Sequence, residues 1–223
     1  MNVLLLRLVA PMQSWGVESR FGVRDTGLEP SKSGVIGLLC AALGRPRGAS
    51  IDDLAGLRMA ARVDCQGRLE SDYHTAQNVL KAGGGFKDTE LSRRYYLAGA
   101  RFLVGLEGGD LGLLEQVHAA LKDPHWPLYL GRKAFVPGEP VWLRDGLRPS
   151  ADLEDVVSRY PWLGQGDPQD PVRLSVEDPS GSVVRPDQPV CFGERRFAPR
   201  RVRTAFVTPP GRSPGGEEAL PCT

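Results

Sequence analysis

Excess charge of either sign is nearly absent: 28 Lys and Arg residues face 27 Asp and Glu, leaving a formal net charge of +1 over 223 residues. A role resting on bulk attraction to nucleic acid or membrane is excluded, so any such contact must come from local clusters. Cysteine is scarce as well. The four cysteines, Cys40, Cys65, Cys191 and Cys222, lie far apart and form no CxxC pair, which argues against a zinc site and against a disulfide framework. The setting this implies is a reducing cytoplasm. No apolar run approaches the roughly 18 residues of a spanning helix. The apolar start, Asn2 to Ala10, has no small-residue cleavage site behind a basic leader. We expect no membrane partner, no cofactor and no metal.

What is present is enough apolar residue, 41%, to build the core of one domain with at most a small appendage. Val3 to Val9 reads as a buried strand, Ser33 to Leu43 as a helix and Leu57 to Cys65 as a second strand. Arg101 to Leu106 repeats the strand pattern. Asp110 then caps a helix with Leu111, Leu114, Val117 and Leu121 at helical spacing, and a final strand-like piece lies near Pro140 to Leu143. The order is βαββαβ, so the expected fold is α+β and ferredoxin-like, an arrangement shared with RNA-recognition modules. The aromatic sheet motif of ordinary RNA-recognition modules is not visible.

Between the second and third strands, Gln66 to Gly99 exceeds what such a core needs. It carries Tyr73, His74, Gly83-Gly84-Gly85, Arg93 and Arg94. Either its flanks pair as an extended hairpin with a glycine tip, or it is an unstructured loop. After Val207 the chain is rich in Pro, Gly and Ser, and 208–223 is expected to be a disordered tail.

The run Pro30-Ser31-Lys32-Ser33-Gly34 leads directly into the first helix, which Gly44 can end in a left-handed turn. Two roles fit. Ser31 or Ser33 can simply cap the helix. Alternatively, the free N–H groups of its first turn, with Lys32 and two hydroxyls beside them, can hold a phosphate. Other basic points are Arg132-Lys133, Arg93-Arg94 and the group Arg195, Arg196, Arg200, Arg201 and Arg203.

Four motifs occur together in a characteristic order: Pro11-Met12-Gln13-Ser14-Trp15-Gly16, Pro30-Ser31-Lys32-Ser33-Gly34, Asp72-Tyr73-His74-Thr75 and Tyr129-Leu130-Gly131-Arg132-Lys133. In order and approximate spacing they resemble the CasD family, the Cas-five subunit of the type I-E CRISPR surveillance complex, Cascade. The likeness covers roughly residues 1–207. It implies a noncatalytic RNA-binding subunit of the repeat-associated superfamily, serving antiviral defence. It further implies a palm at 1–145 with a thumb inserted at about 66–99, followed by a C-terminal β-rich extension at 146–207. The implied partners are guide RNA (crRNA), held by its 5′ handle, a CasC-type backbone subunit and a CasA-type large subunit. Target DNA would be met only through the assembled complex, and precursor processing would fall to a separate CasE-type nuclease.

Within that frame Gln13 can read a base edge, while Trp15 can either stack on a base or serve as a core lid. Ser31, Lys32 and Ser33 would bind phosphate, with Arg24 reaching the same backbone. Tyr73, His74, Arg93 and Arg94 would touch RNA from the arm. In Tyr129-Leu130-Gly131-Arg132-Lys133, Gly131 permits close approach of the RNA backbone between an aromatic ring and two cations, Arg132 and Lys133. Arg195, Arg196, Arg200 and Arg201 can contact RNA or an acidic subunit face, or line a solvated strand edge. Two other function classes remain: a metal-independent endoribonuclease using Tyr73, His74 and Lys81 or Lys87, as in type I-C relatives, and a purely structural protein adaptor.

Overall fold

A computed structural model of the chain describes residues 1–16, 22–164, 168 and 170–211. Strand β1 (Asn2–Val9) is apolar at nearly every position because both its faces are covered. Leu4, Leu6 and Leu8 pack into one core cluster, and Val3, Leu5 and Val9 into another. Two short strands follow, β2 (Met12–Gln13) and β3 (Val23–Arg24). Helix α1 (Lys32–Leu43) begins at Ser31, whose hydroxyl accepts from the Gly34 N–H, and ends at Gly44, φ 71°. After the single turn α2 (Asp52–Ala55) come β4 (Arg58–Cys65), then β5 (Arg68–Leu80) and β6 (Phe86–Ala98), then β7 (Arg101–Gly108). Asp110 caps α3 (Leu111–Lys122) by accepting from the Leu113 N–H, and Asp152 caps α4 (Leu153–Arg159) by accepting from Asp155. Between those helices lies β8 (Trp142–Arg148), and the chain continues through β9 (Val172–Glu177), β10 (Val183–Cys191) and β11 (Arg196–Val207).

Seven strands form one sheet in the order β10-β11-β9-β4-β7-β1-β8. Every neighbouring pair is antiparallel. Helix α1 connects β1 to β4 and α3 connects β7 to β8, and their apolar sides share one core cluster on one face of the sheet. Leu153 and Val157 of α4 close the other face. The C-terminal strands are a continuation of this sheet, because β9 pairs directly with β4. The expected boundary at 145/146 falls inside β8, which is longer than the patch of sequence that announced it.

Strands β5 and β6 form a long antiparallel hairpin whose tip contains Gly84 and Gly85 at φ 87° and 77°. The N-terminal segment grips its base: Met12 and Gln13 pair with Ala98 and Leu97, and Val23 and Arg24 run parallel to Arg93 and Arg94. Beneath the main sheet Arg62 is fully buried. Its guanidinium donates to both oxygens of Asp64 at 2.6 and 2.8 Å and to the carbonyls of Val157, Tyr160 and Pro161 at 2.6, 2.6 and 3.0 Å. The start of the expected tail is placed as well, since Pro209 is buried and the Pro210 carbonyl accepts from the Trp162 N–H at 3.0 Å. The rest of that tail, 212–223, lies outside the described residues. Among the described residues no helix is long and apolar enough to cross a membrane.

Candidate nucleic-acid interface

At the base of the hairpin, pairing register places Arg24 of β3 beside Arg94 of β6. Arg132, from the loop after α3, closes the group. Its guanidinium donates to the Tyr95 carbonyl at 2.7 Å and to the Arg24 carbonyl at 3.4 Å, and it lies over the Phe135 ring, 5.3 Å from the centroid. Together with Ser14, Gly16, Asp25 and Gly131, these arginines line a cleft of about 360 Å³. Its two walls are joined through Ser14, whose N–H donates to Leu130 at 3.1 Å and whose hydroxyl donates to Tyr95 at 3.4 Å.

Gly131 is required by that join. Its φ is 97°, and a Cβ there would sit 1.8 Å from the Ser14 carbonyl oxygen. Gly131→Ala is therefore expected to push the 130–135 loop away from Ser14 and to lower the thermal midpoint, since the Ser14 N–H loses the Leu130 carbonyl. Melting curves of wild type and variant check this, and an unchanged midpoint would count against the join.

The electrostatics suit an anion. Burial holds the Arg132 guanidinium below its ordinary pKa, and Arg94 and Arg24 push it the same way, while Asp72 and Asp25 pull back. A phosphate oxygen in the cleft would relieve the crowding of like charges and take charge-assisted hydrogen bonds from more than one guanidinium.

Several residues expected to touch RNA are committed elsewhere. Gln13 is fully buried, donating to the carbonyls of Leu8 and Ala100 at 3.1 and 2.8 Å and accepting from the Trp15 indole at 3.2 Å. Trp15 is the core lid, its ring packed against Gly34. Ser31 is the buried cap, and Ser33, half-buried, lies 3.5 Å from it. Lys32 is 1% exposed and its ammonium is held by both oxygens of Glu177 at 3.0 and 2.9 Å. The start of α1 does hold an anion, but the anion is the chain's own: the Lys32 N–H donates to the Asp187 carboxylate at 2.8 Å.

The C-terminal arginines separate in the same way. Arg200 is buried against Asp187 at 2.7 and 3.0 Å, with Glu177 3.7 Å away. Arg201, on the opposite face of β11, donates to the Gly181 carbonyl at 3.1 Å. Arg195 occupies an exposed left-handed turn, φ 53°, and Arg196 lies 3.6 Å from Glu194. Tyr129 and Lys133 are exposed in the loop that carries Gly131 and Arg132. Ser14, Gly16 and Asp25 were not expected at the site, although Ser14 and Gly16 stand in the first motif and Asp25 adjoins Arg24.

On the hairpin, His74 contacts Asp72 on the face that carries Arg94. Tyr73 and its register partner Arg93 face the other way, as successive strand residues must. Lys87 stands opposite Val79, five residues from His74, or roughly 17 Å along the strand, and is held by Glu90. Lys81 lies farther still, seven residues past His74 at the hairpin tip, so Tyr73, His74 and either lysine do not converge on one 2′-hydroxyl. Among the described residues no group of His, Cys, Asp and Glu is arranged to hold a metal.

Known proteins share this architecture. The chain is 31% identical over 217 residues to the CRISPR system Cascade subunit CasD of Escherichia coli K12, covering 89% of this chain and 93% of that protein. A solved Cas protein, 45% identical, superposes with a TM-score of 0.78 over 94% of this chain and 98% of its own. A chain of a CRISPR RNA-guided surveillance complex, 35% identical, superposes at 0.80 over 93% and 91%. Residues 3–203 match the family model described as CRISPR-associated protein (Cas_Cas5), and the protein belongs to this Cas5 family.

Proposed function

We propose that the protein is the noncatalytic subunit of a type I-E Cascade complex that binds and caps the 5′ handle of the guide RNA (crRNA). The supporting relatives are the Cascade subunit CasD and the surveillance-complex chain. The observation that carries the RNA role is the convergence of Arg24, Arg94 and Arg132 on one cleft beside Gly131. In this reading the βαββαβ portion of the sheet is a ferredoxin-like palm and the β5/β6 hairpin is its thumb. The thumb reaches a CasC-type backbone subunit, and a CasA-type large subunit docks on the same assembly, so that target DNA is met only by the complex. In this reading the RNA is held intact in the cytoplasm, a role with which the opposite facing of Tyr73 and His74 on β5 agrees.

The test uses labelled guide RNA with its own handle or a scrambled one, retained by the assembled complex. Retention should depend on the handle, and the double variant Arg94→Ala/Arg132→Ala should weaken it roughly tenfold or more. The log–log salt slope should flatten by about 0.7 for each phosphate the variant no longer neutralises. Equal retention of both RNAs by wild type and variant would make the protein an adaptor. A shortened product that disappears in His74→Ala would make it a nuclease.

A further inference from the structure

Beyond the cationic cleft, the segment from His125 to Leu130 is pinned at both ends while two of its rings stay partly exposed. At one end the N–H groups of His125 and Trp126 cap α1, donating to the carbonyls of Ala42 and Ala41 at 2.9 and 3.2 Å. At the other end Leu130 donates to the Phe135 carbonyl at 2.8 Å and accepts from Ser14. Between these anchors Leu128 and Leu130 supply the contacts to the core. Trp126, 41% exposed, and Tyr129, 37% exposed, are left over. The indole is steadied from the side by His125, whose ring centroid lies 5.1 Å away in an edge contact at 69°.

We propose that Trp126 and Tyr129 form a stacking platform for guide-RNA bases that leave the Arg24/Arg94/Arg132 cleft, an inference that rests on the RNA-binding reading above. The platform and the cleft belong to one stretch of chain. Trp126 stands five residues before Gly131, a span of at most about 18 Å. Residues 124–138 contain Arg132 and Lys133 but no Asp or Glu, so nothing in the segment repels a polyanion passing over it. Rings more than a third exposed, on a segment fixed by backbone hydrogen bonds and continuous in sequence with Arg132 and Lys133, supply the stacking faces and cations by which single strands are held without base-edge reading. An apolar subunit surface would use the rings but not the neighbouring cations, and RNA uses both.

The experiment places 2-aminopurine in turn at each handle position of a guide RNA and reads its fluorescence in the assembled complex. In wild type one or two positions should be strongly quenched by stacking. Trp126→Ala or Tyr129→Ala should restore fluorescence at one of those positions and weaken retention roughly tenfold, while Trp126→Phe keeps the quenching. A thermal midpoint shared by all variants separates this from unfolding. If the RNA is retained in a handle-dependent manner but no position responds to either alanine variant, the platform is overturned and the rings face a protein neighbour. If wild type shows no handle dependence, the RNA-binding reading fails first and takes the platform with it.

Discussion

Arg62→Ala is expected to lower the thermal midpoint by roughly 6–20 °C, the equivalent of about 3–5 kcal/mol lost from a buried ion pair in a chain of this size. Both Arg62 and Asp64 have fully buried side chains, and Asp64 also accepts from the Leu163 N–H at 2.8 Å. Removing the guanidinium strands a carboxylate in the interior and leaves the carbonyls of Val157, Tyr160 and Pro161 without their donor. Those carbonyls end α4 and begin the turn after it, so the helix that closes one face of the sheet loses its fastening. Arg62→Lys should recover only part of the loss, because an ammonium cannot reach Asp64 and three carbonyls from one fork. Calorimetry of the two variants checks the argument, and a shift under about 2 °C for Arg62→Ala would contradict it.

Asp187→Ala should be the next most damaging change, at about 3–5 kcal/mol. The residue is 2% exposed, and its loss strips Arg200 of its two short carboxylate bonds, leaving only Glu177 3.7 Å away, and orphans an N–H at the start of α1. Lys32→Met should cost much less, because Glu177 is partly solvated and retains Arg200 nearby. Its pH signature is distinctive. Burial lowers the Lys32 pKa from its ordinary 10.5 against the pull of Glu177. The folded chain therefore gives up this proton at lower pH than the unfolded chain, and the Lys32 contribution to stability rises with pH in the alkaline window below 10.5. Melting curves through that window should show the rise in wild type and lose it in Lys32→Met. Neither variant touches the cleft, so RNA retention measured well below the melting point should stay at the wild-type level.

Local chemistry is readable wherever the relevant partner lies nearby in sequence. Ser31, Gly44 and Asp110 each mark a helix end because caps bond within a few residues, and Gly83-Gly84-Gly85 marks the turn between strands that could pair. Lys32 misleads for the opposite reason. Composition near the start of a helix says that an anion is welcome, but not that Asp187, 155 residues on, already occupies the place. The dense arginine group from Arg195 to Arg203 dissolves because strand alternation turns Arg200 inward and Arg201 outward. Arg24, Arg94 and Arg132 are each visible singly. Their meeting depends on a parallel pairing of β3 with β6 and on a loop that Gly131 lets close, neither of which leaves a local trace.

The pairing of Lys32 with Glu177 and Asp187 also sets an order of events at the ribosome. The chain between helix and carboxylates spans 145 to 155 residues, which at ordinary elongation rates takes roughly 8–30 s to make. Throughout that interval α1 cannot settle with Lys32 buried, because its counter-ions do not yet exist. The start of α1 is therefore completed only after β9 and β10 have been made. A nascent chain stalled before Asp187 leaves the Lys32 N–H at its first helix without the carboxylate that accepts from it in the finished fold.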